Sequence, residues 1–375
     1  MKIKELILKN LMLFPGWRTK RKIVVIESDD WGAIRTPDKQ KLDLINKINP
    51  LVKEDRYTQL DAFETNDDIE FLLQTLNSVR DCRNRPAIIT ANTIVANPNF
   101  KEIELSNFNQ YSYLSFSDLI KIFPKSNNVK KLITQGIDNN LYKPQLHGRE
   151  HLNVAQWLSE LQNGNKELLE AFKFQTYGIP LTTRKSIRKN LMSAFDYENV
   201  ADKKNYRFII NEAADLFYKT FGFTSDSFIA TTYIWDHDLE KLLYENGVKF
   251  IQGIPYQYIP NPGKKNYKKK FHYTGQNNSL GQIYLVRNAF FEPFVDSKKD
   301  IVGECLLRIK MAFLWGKPAI ISSHRVNFIG SISEKNRSQN LKLLENLLKE
   351  IVKQWPDVEF MSSDELGRLM LQEQI

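Results

Sequence analysis

An apolar run ends at two adjacent carboxylates in KIVVIESDDWGAIR, residues 22–35, where Asp29 and Asp30 precede Trp31 and Gly32. Like charges that close raise each other's cost of ionisation unless a cation or solvent absorbs it. The pair is therefore either a solvated turn after a strand, for which Asp and Gly are ordinary residues, or part of a cation site. The histidines favour the second reading. The chain holds five, and two of them, His147 and His151, stand four apart in QLHGREHLN. On one turn of helix, residues i and i+4 share a face, so the spacing predicts two imidazoles on a single ion. His324 follows the apolar run AIISS much as the aspartates follow KIVVI. Two histidines and one carboxylate leave open positions on a divalent metal for water and substrate.

Something must bring these distant residues together. Short apolar strands are predicted at 22–27, 87–92, 141–147, 227–232, 248–252, 282–287, 319–323 and 358–362, with amphipathic helices at 67–80, 151–162, 236–247 and 340–355. Alternating β and α units argue for a parallel sheet covered by helices. Seven or eight of them, with no GxGxxG after the first strand, fit a (β/α) barrel better than an open doubly wound sheet. In a barrel the C-terminal strand ends converge on one mouth, which would gather Asp29, Asp30, His147 and His324. Residues 160–225 read as a helical insertion within a single domain spanning 1–375, and 255–280 as a long loop. His237 and His272 suit surface or core positions, and Trp157, Trp235 and Trp315 suit the core. Trp31, beside the carboxylates, is a candidate substrate contact.

Composition narrows the function classes. The 375 residues are 42% hydrophobic and 26% charged, an ordinary globular balance. Two cysteines, Cys82 and Cys305, supply neither a disulfide framework nor a zinc ribbon. The start, MKIKELILKNLMLF, is too broken by charge for a signal peptide or a membrane span, so the cytoplasm is the expected location. Ile3, Leu6, Ile7 and Leu11 instead suggest a short docking helix. The net charge of +9 gathers in 18–22, 184–189 and 264–270. These clusters lack the aromatic interleaving or motif of a nucleic-acid binder. They suit solvated faces, or attraction of an anionic substrate or a peripheral membrane surface.

ESDDWG resembles the first motif of the polysaccharide deacetylase family (carbohydrate esterase family 4), there Thr-Phe-Asp-Asp-Gly. HGREH matches the family's His-x-x-x-His pair, and SSH at 322–324 resembles its closing Leu-x-His. FIATTYIWD (228–236) resembles its Arg-x-Pro-Pro-Tyr-Gly segment, and the order is kept across residues 22–330. The resemblance implies a distorted (β/α)7-type barrel and metal-dependent removal of an N- or O-linked acetyl group from a carbohydrate. It also implies Asp30, His147 and His151 as ligands of zinc, with cobalt or nickel as alternatives. Asp29 would be the base, His324 the general acid, and the Tyr233 backbone N–H an oxyanion donor. Ala230, however, stands where the family's arginine orients the base, and Arg287 or Arg325 would have to replace it. An inactive carbohydrate-binding barrel, or a glycoside hydrolase pairing Asp29 with Glu292, are the rival readings.

Overall fold

The computed structural model describes residues 12–182, 190–296 and 299–374. The basic run at 184–189 and the amphipathic stretch at 3–11 lie outside the described residues. Nine parallel strands form the main sheet: β1 (Lys22–Trp31), β2 (Ile89–Ile94), β3 (Tyr142–Gly148), β4 (Ser227–Ile229), β5 (Phe250–Gly253), β6 (Ile283–Val286), β7 (Ala289–Phe290), β8 (Ala319–His324) and β9 (Val358–Met361). Their order is β6-β5-β4-β3-β2-β1-β8-β7, with β9 beside the start of β1. The two ends of that order, β6 and β7, are one passage of chain interrupted by Arg287 and Asn288. Arg287 N–H donates to Gly253 on one side and Asn288 N–H to Ile320 on the other. The sheet thus curls until both edges meet on a single segment, as a distorted α/β barrel.

Strand periodicity divides the core. Val24 and Ile26 pack outward with apolar residues of the helices Asn66–Asn77, Val129–Asp138, Ile301–Leu314 and Glu334–Gln354. Ile23 and Val25 face the other way, against Phe250, Ile283, Leu285 and Ile320, above Leu366 and Met370 of the helix Ser363–Gln374. The inward column of β1 then turns polar, from Ile23 and Val25 to Glu27 and Asp29. Every residue of β1 after Lys22 is buried. Strands covered on both faces read as continuous apolar runs, which is why eight of them were visible in the sequence.

Between Gly148 and Ser227 the described residues contain helices and no strand: Val154–Gln162, Lys166–Lys173, Val200–Asn205 and Tyr206–Phe221. The helical insertion is therefore present. The expected long loop at 255–280 is instead in part an antiparallel hairpin, Tyr256–Ile259 with Lys268–Phe271. Alternation is masked there by the lysine run 268–270, which carries the exposed strand. No helix among the described residues is long and apolar enough to cross a membrane.

Candidate active site

Asp29 continues the inward alternation of β1, so Asp30 ought to point outward. It does not, because Asp30 adopts φ 72° and the β1–β2 register slips between Ser28 and Trp31. The left-handed residue in the bulge turns a second carboxylate into the same pocket. Gly32, at φ 78°, completes the turn, and a Cβ there would meet the Ile94 carbonyl at 2.1 Å. Trp31 is consequently driven the other way. It is fully buried, donates its indole N–H to Ser28 at 3.0 Å and packs edge-on against Tyr142, 5.5 Å away. The expected substrate contact by Trp31 is thus corrected: the bulge that brings Asp30 in sends Trp31 into the core.

His147 ends β3, whereas His151 lies in the loop before the helix Val154–Gln162, so the pair does not share a helical turn. Gly148, at φ 133°, bends the chain between them. Their rings nevertheless meet, with centroids 5.2 Å apart. Nδ1 of His147 donates to the Ile229 carbonyl at 2.8 Å, which leaves the Nε2 lone pair facing Asp30. Asp30 Oδ1 stands 3.4 Å from Nε2 of His147 and 3.3 Å from Nε2 of His151. Oδ1 and the His147 Nε2 are buried and make no hydrogen bond. Burial drives His151 down to about 4, so its imidazole is neutral at pH 7. Burial opposes ionisation of Asp30, but His151, His147 and His324 hold its carboxyl well below the usual range. Facing lone pairs on a carboxylate and an imidazole repel unless a cation lies between them, and this donor set, all within 4.8 Å, can hold one metal ion.

Asp29 is held differently. Arg287 clamps it with Nη1 to Oδ2 at 2.7 Å and Nη2 to Oδ1 at 2.6 Å, and its Nε bonds Glu27 at 2.6 Å. Asn92 adds a third hydrogen bond, to Oδ1 at 2.8 Å. Burial would raise Asp29, but the guanidinium wins and lowers it to about 2. Glu27 carries the opposite balance, with burial pushing it up against the same guanidinium. Arg325 is committed elsewhere, to Asp61 at 2.9 Å and Glu64 at 2.7 Å, and Glu64 in turn accepts the Gly32 N–H. Of the two candidate arginines, Arg287 is therefore the one that holds Asp29, while Arg325 braces the aspartate turn through Glu64.

His324 pairs with Asp29 in the β1–β8 register. Its Nδ1 contacts Glu292 at 2.6 Å and its Nε2 lies 3.9 Å from Asp29 Oδ2. Burial lowers its pKa, but Glu292 outweighs that and raises it to about 9. Glu292 also accepts from Asn327 at 2.8 Å, so its two oxygens hold His324 at the end of β8 and Asn327 in the turn after it rather than oppose Asp29. This placement speaks against an Asp29–Glu292 glycosidase pair. Tyr233 reaches the pocket through its hydroxyl, 3.2 Å from Arg287. Its backbone N–H is spent on Ala230 at 3.1 Å, in a turn where Thr232 and Tyr233 both have positive φ, so the expected oxyanion donor is already engaged. His237 and His272 bond Glu240 and Gln257 instead of a metal, and Trp157 and Trp235 are core.

Asp29, Asp30, His147, His151, Tyr233 and His324 all line one pocket of about 590 Å³, a volume that suits a sugar-sized ligand. Asn92 behind it and Arg35 and Tyr57 on its wall were not singled out from sequence. Asn92 closes a predicted strand and had that signal. Arg35 comes from a loop and Tyr57 from the short helix Arg56–Leu60, neither with a readable pattern.

No family model matches the sequence. No curated protein matches it either. Among solved structures, the fold is similar to a Mycobacterium smegmatis protein described as a polysaccharide deacetylase, at 9% identity over 96% of this chain and 94% of that one, with a TM-score of 0.47. It is also similar to PuuE allantoinase, at 10% identity over 94% and 91% of the two chains with a TM-score of 0.44. A 4-α-glucanotransferase from Thermococcus litoralis is similar at 11% identity over 92% of this chain and 40% of that one, with a TM-score of 0.42. Such distant likeness carries no functional inference, which rests on the side chains.

Proposed function

We propose that the chain is a metal-dependent hydrolase that removes an N- or O-linked acetyl group from a carbohydrate or a polysaccharide precursor. The observation that carries the reading is the pocket's division of labour. Asp30, His147 and His151 form a donor set that could hold a cation, and Asp29 beside it is tied to Arg287 rather than to the cluster. Zinc is the ion such a His₂-carboxylate set favours, and when bound it supplies a Lewis acid that lowers the pKa of water toward about 7.

The chain's own groups then have distinct tasks. Two carboxylate oxygens offer about four acceptor sites, of which Arg287 and Asn92 take three on Asp29. The remaining site on Oδ2 accepts the proton of the attacking water as the new C–O bond forms. The bond to the sugar nitrogen or oxygen breaks, and that atom takes a proton from Nε2 of His324, leaving acetate and the free amine or alcohol. Glu292 keeps His324 protonated at neutral pH, as an acid must be. Arg287 orients the base but also weakens it, so deprotonation at Asp29 would rely on the acidity that an ion held by Asp30, His147 and His151 would confer on water.

Acetate release from acetylated sugars, measured with Asp29→Asn and after chelation, tests the reading. D29N should keep its metal and lose most turnover, and chelation should abolish activity until the ion is restored. Chain cleavage that ignores the chelator would replace the reading with a glycosidase, and sugar binding without acetate release would replace it with a binding protein.

A further inference from the structure

Four arginines near the site show what a guanidinium does in this interior. Arg287, Arg325 and Arg149 each pair with two carboxylates: Glu27 and Asp29, Asp61 and Glu64, Glu150 and Glu212. Arg35 is the exception. It lines the pocket wall, partly buried, and makes no hydrogen bond or ion pair with a described residue. Its guanidinium carbon lies 4.9 Å from the centroid of the Tyr57 ring, which fixes its plane.

The carboxylates around it act on it through space but direct their hydrogen bonds elsewhere. Asp55 accepts from the Tyr57 N–H at 3.2 Å and the Thr58 hydroxyl at 2.5 Å. Asp61 is held by Arg325, and Asp30 faces the two histidines. A guanidinium presents five N–H donors in a fixed fork that matches carboxylate and phosphate. Here the fork faces a ligand cavity and is free of any carboxylate partner among the described residues.

A hairpin outside the pocket lining adds charge of the same sign. The hairpin Tyr256–Ile259/Lys268–Phe271 is tied to the pocket turn by the Trp235 N–H on the Tyr258 carbonyl at 3.1 Å, and it carries the exposed Lys268, Lys269 and Lys270. Exposed positive charge of this kind raises the local concentration of anions.

We propose that Arg35 anchors an oxyanion of the substrate, a phosphate ester or a carboxylate, so that the pocket selects anionic sugars over neutral ones. The sugar part of this rests on the hydrolase reading; the anion site does not.

Calorimetric titration with inorganic phosphate and with glucuronate separates the two, using wild type, Arg35→Gln and Arg35→Lys in metal-loaded and chelated form. R35Q should weaken binding of one or both anions at least ~10-fold in either form with metal content unchanged, and R35K should recover part of it. The stronger anion identifies the group. In turnover, R35Q should raise KM for N-acetylglucosamine 1-phosphate or N-acetylmuramic acid by a larger factor than for the neutral N-acetylglucosamine. Equal anion binding in wild type and R35Q would overturn the anchor, as would wild-type binding that vanishes on chelation. Anion binding lost in R35Q, with acetate released from no sugar, would leave the anchor standing and remove the hydrolase.

Discussion

Replacing Arg287 by Gln tests the clamp on the base most directly. The wild-type guanidinium faces two buried carboxylates, Glu27 and Asp29, with no exposed surface of its own. Against burial, and with smaller help from His147 and His324, it lowers the Asp29 carboxyl to about 2, about 2–3 kcal/mol of preference for the ionised form. Glu27, pushed up by burial, returns part of that. Removing the cation leaves both carboxylates unpaired inside the barrel, for which the expected cost is ~3–5 kcal/mol. With an unfolding entropy of ~2.1 cal/mol/K per residue, that lowers Tm by roughly 4–6 °C. Because the folded pKa of Asp29 is depressed, its contribution is complete above about 4 and is lost as pH falls through about 2. In R287Q that dependence should disappear, and the acid limb of the rate profile should move to higher pH. Arg287→Lys should restore the charge but not the two-pronged clamp, giving intermediate stability. Denaturant midpoints and pH–rate profiles measure both effects. An R287Q protein with wild-type midpoint and an unmoved acid limb would refute the clamp.

The remaining predictions concern the metal, the acid and the core. The His147→Ala, His151→Ala double variant should bind no zinc by elemental analysis, and added zinc should raise the Tm of wild type but not of the variant. His324→Ala should lose ~10²–10⁴ in rate on an acetamide and less on an activated ester, whose leaving group needs no proton. Glu292→Gln removes the charge that lifts His324 to about 9. The alkaline limb of activity, lost as pH rises through the folded pKa, should then fall toward neutral pH. Trp31→Phe should cost about 1–3 kcal/mol through the lost hydrogen bond to Ser28 and lost packing, with KM unaltered. A raised KM at wild-type stability would return Trp31 to the pocket.

Most of the eight strands were legible because they are covered on both faces, so that burial writes a mainly apolar run; Tyr142–Gly148, with Lys143, Gln145 and His147, is the weakest of them. The Lys268–Phe271 strand was not, since it lies exposed and its lysines carry no pattern of burial. Among site residues, the legible ones sit at strand ends: Asp29 on β1, His147 on β3 and His324 on β8. Arg287 was one of two candidates, and nothing local separates it from Arg325. What separates them is position on the sheet, since Arg287 sits where both edges meet and faces inward, whereas Arg325 follows the end of β8 and reaches toward Asp61 and Glu64. The choice is a property of closure, which no stretch of sequence contains.

The adjacent aspartates show the same limit at the scale of one residue. Strict alternation along β1 would place Asp29 inside with Glu27, and Asp30 outside with Ser28. A site that needs both carboxylates within one pocket must break that alternation, and the left-handed backbone at Asp30 is the break. Asp and Asn tolerate that region better than most residues, so the second aspartate suits the turn as well as the chemistry. Gly32, which has no Cβ to strike the Ile94 carbonyl, lets the chain leave the bulge. Trp31 is the counterweight: forced to the opposite face by the same turn, its buried ring holds the bulge against the core. The sequence DDWG therefore encodes a geometry in which the two carboxylates reach the pocket because the residue after them cannot.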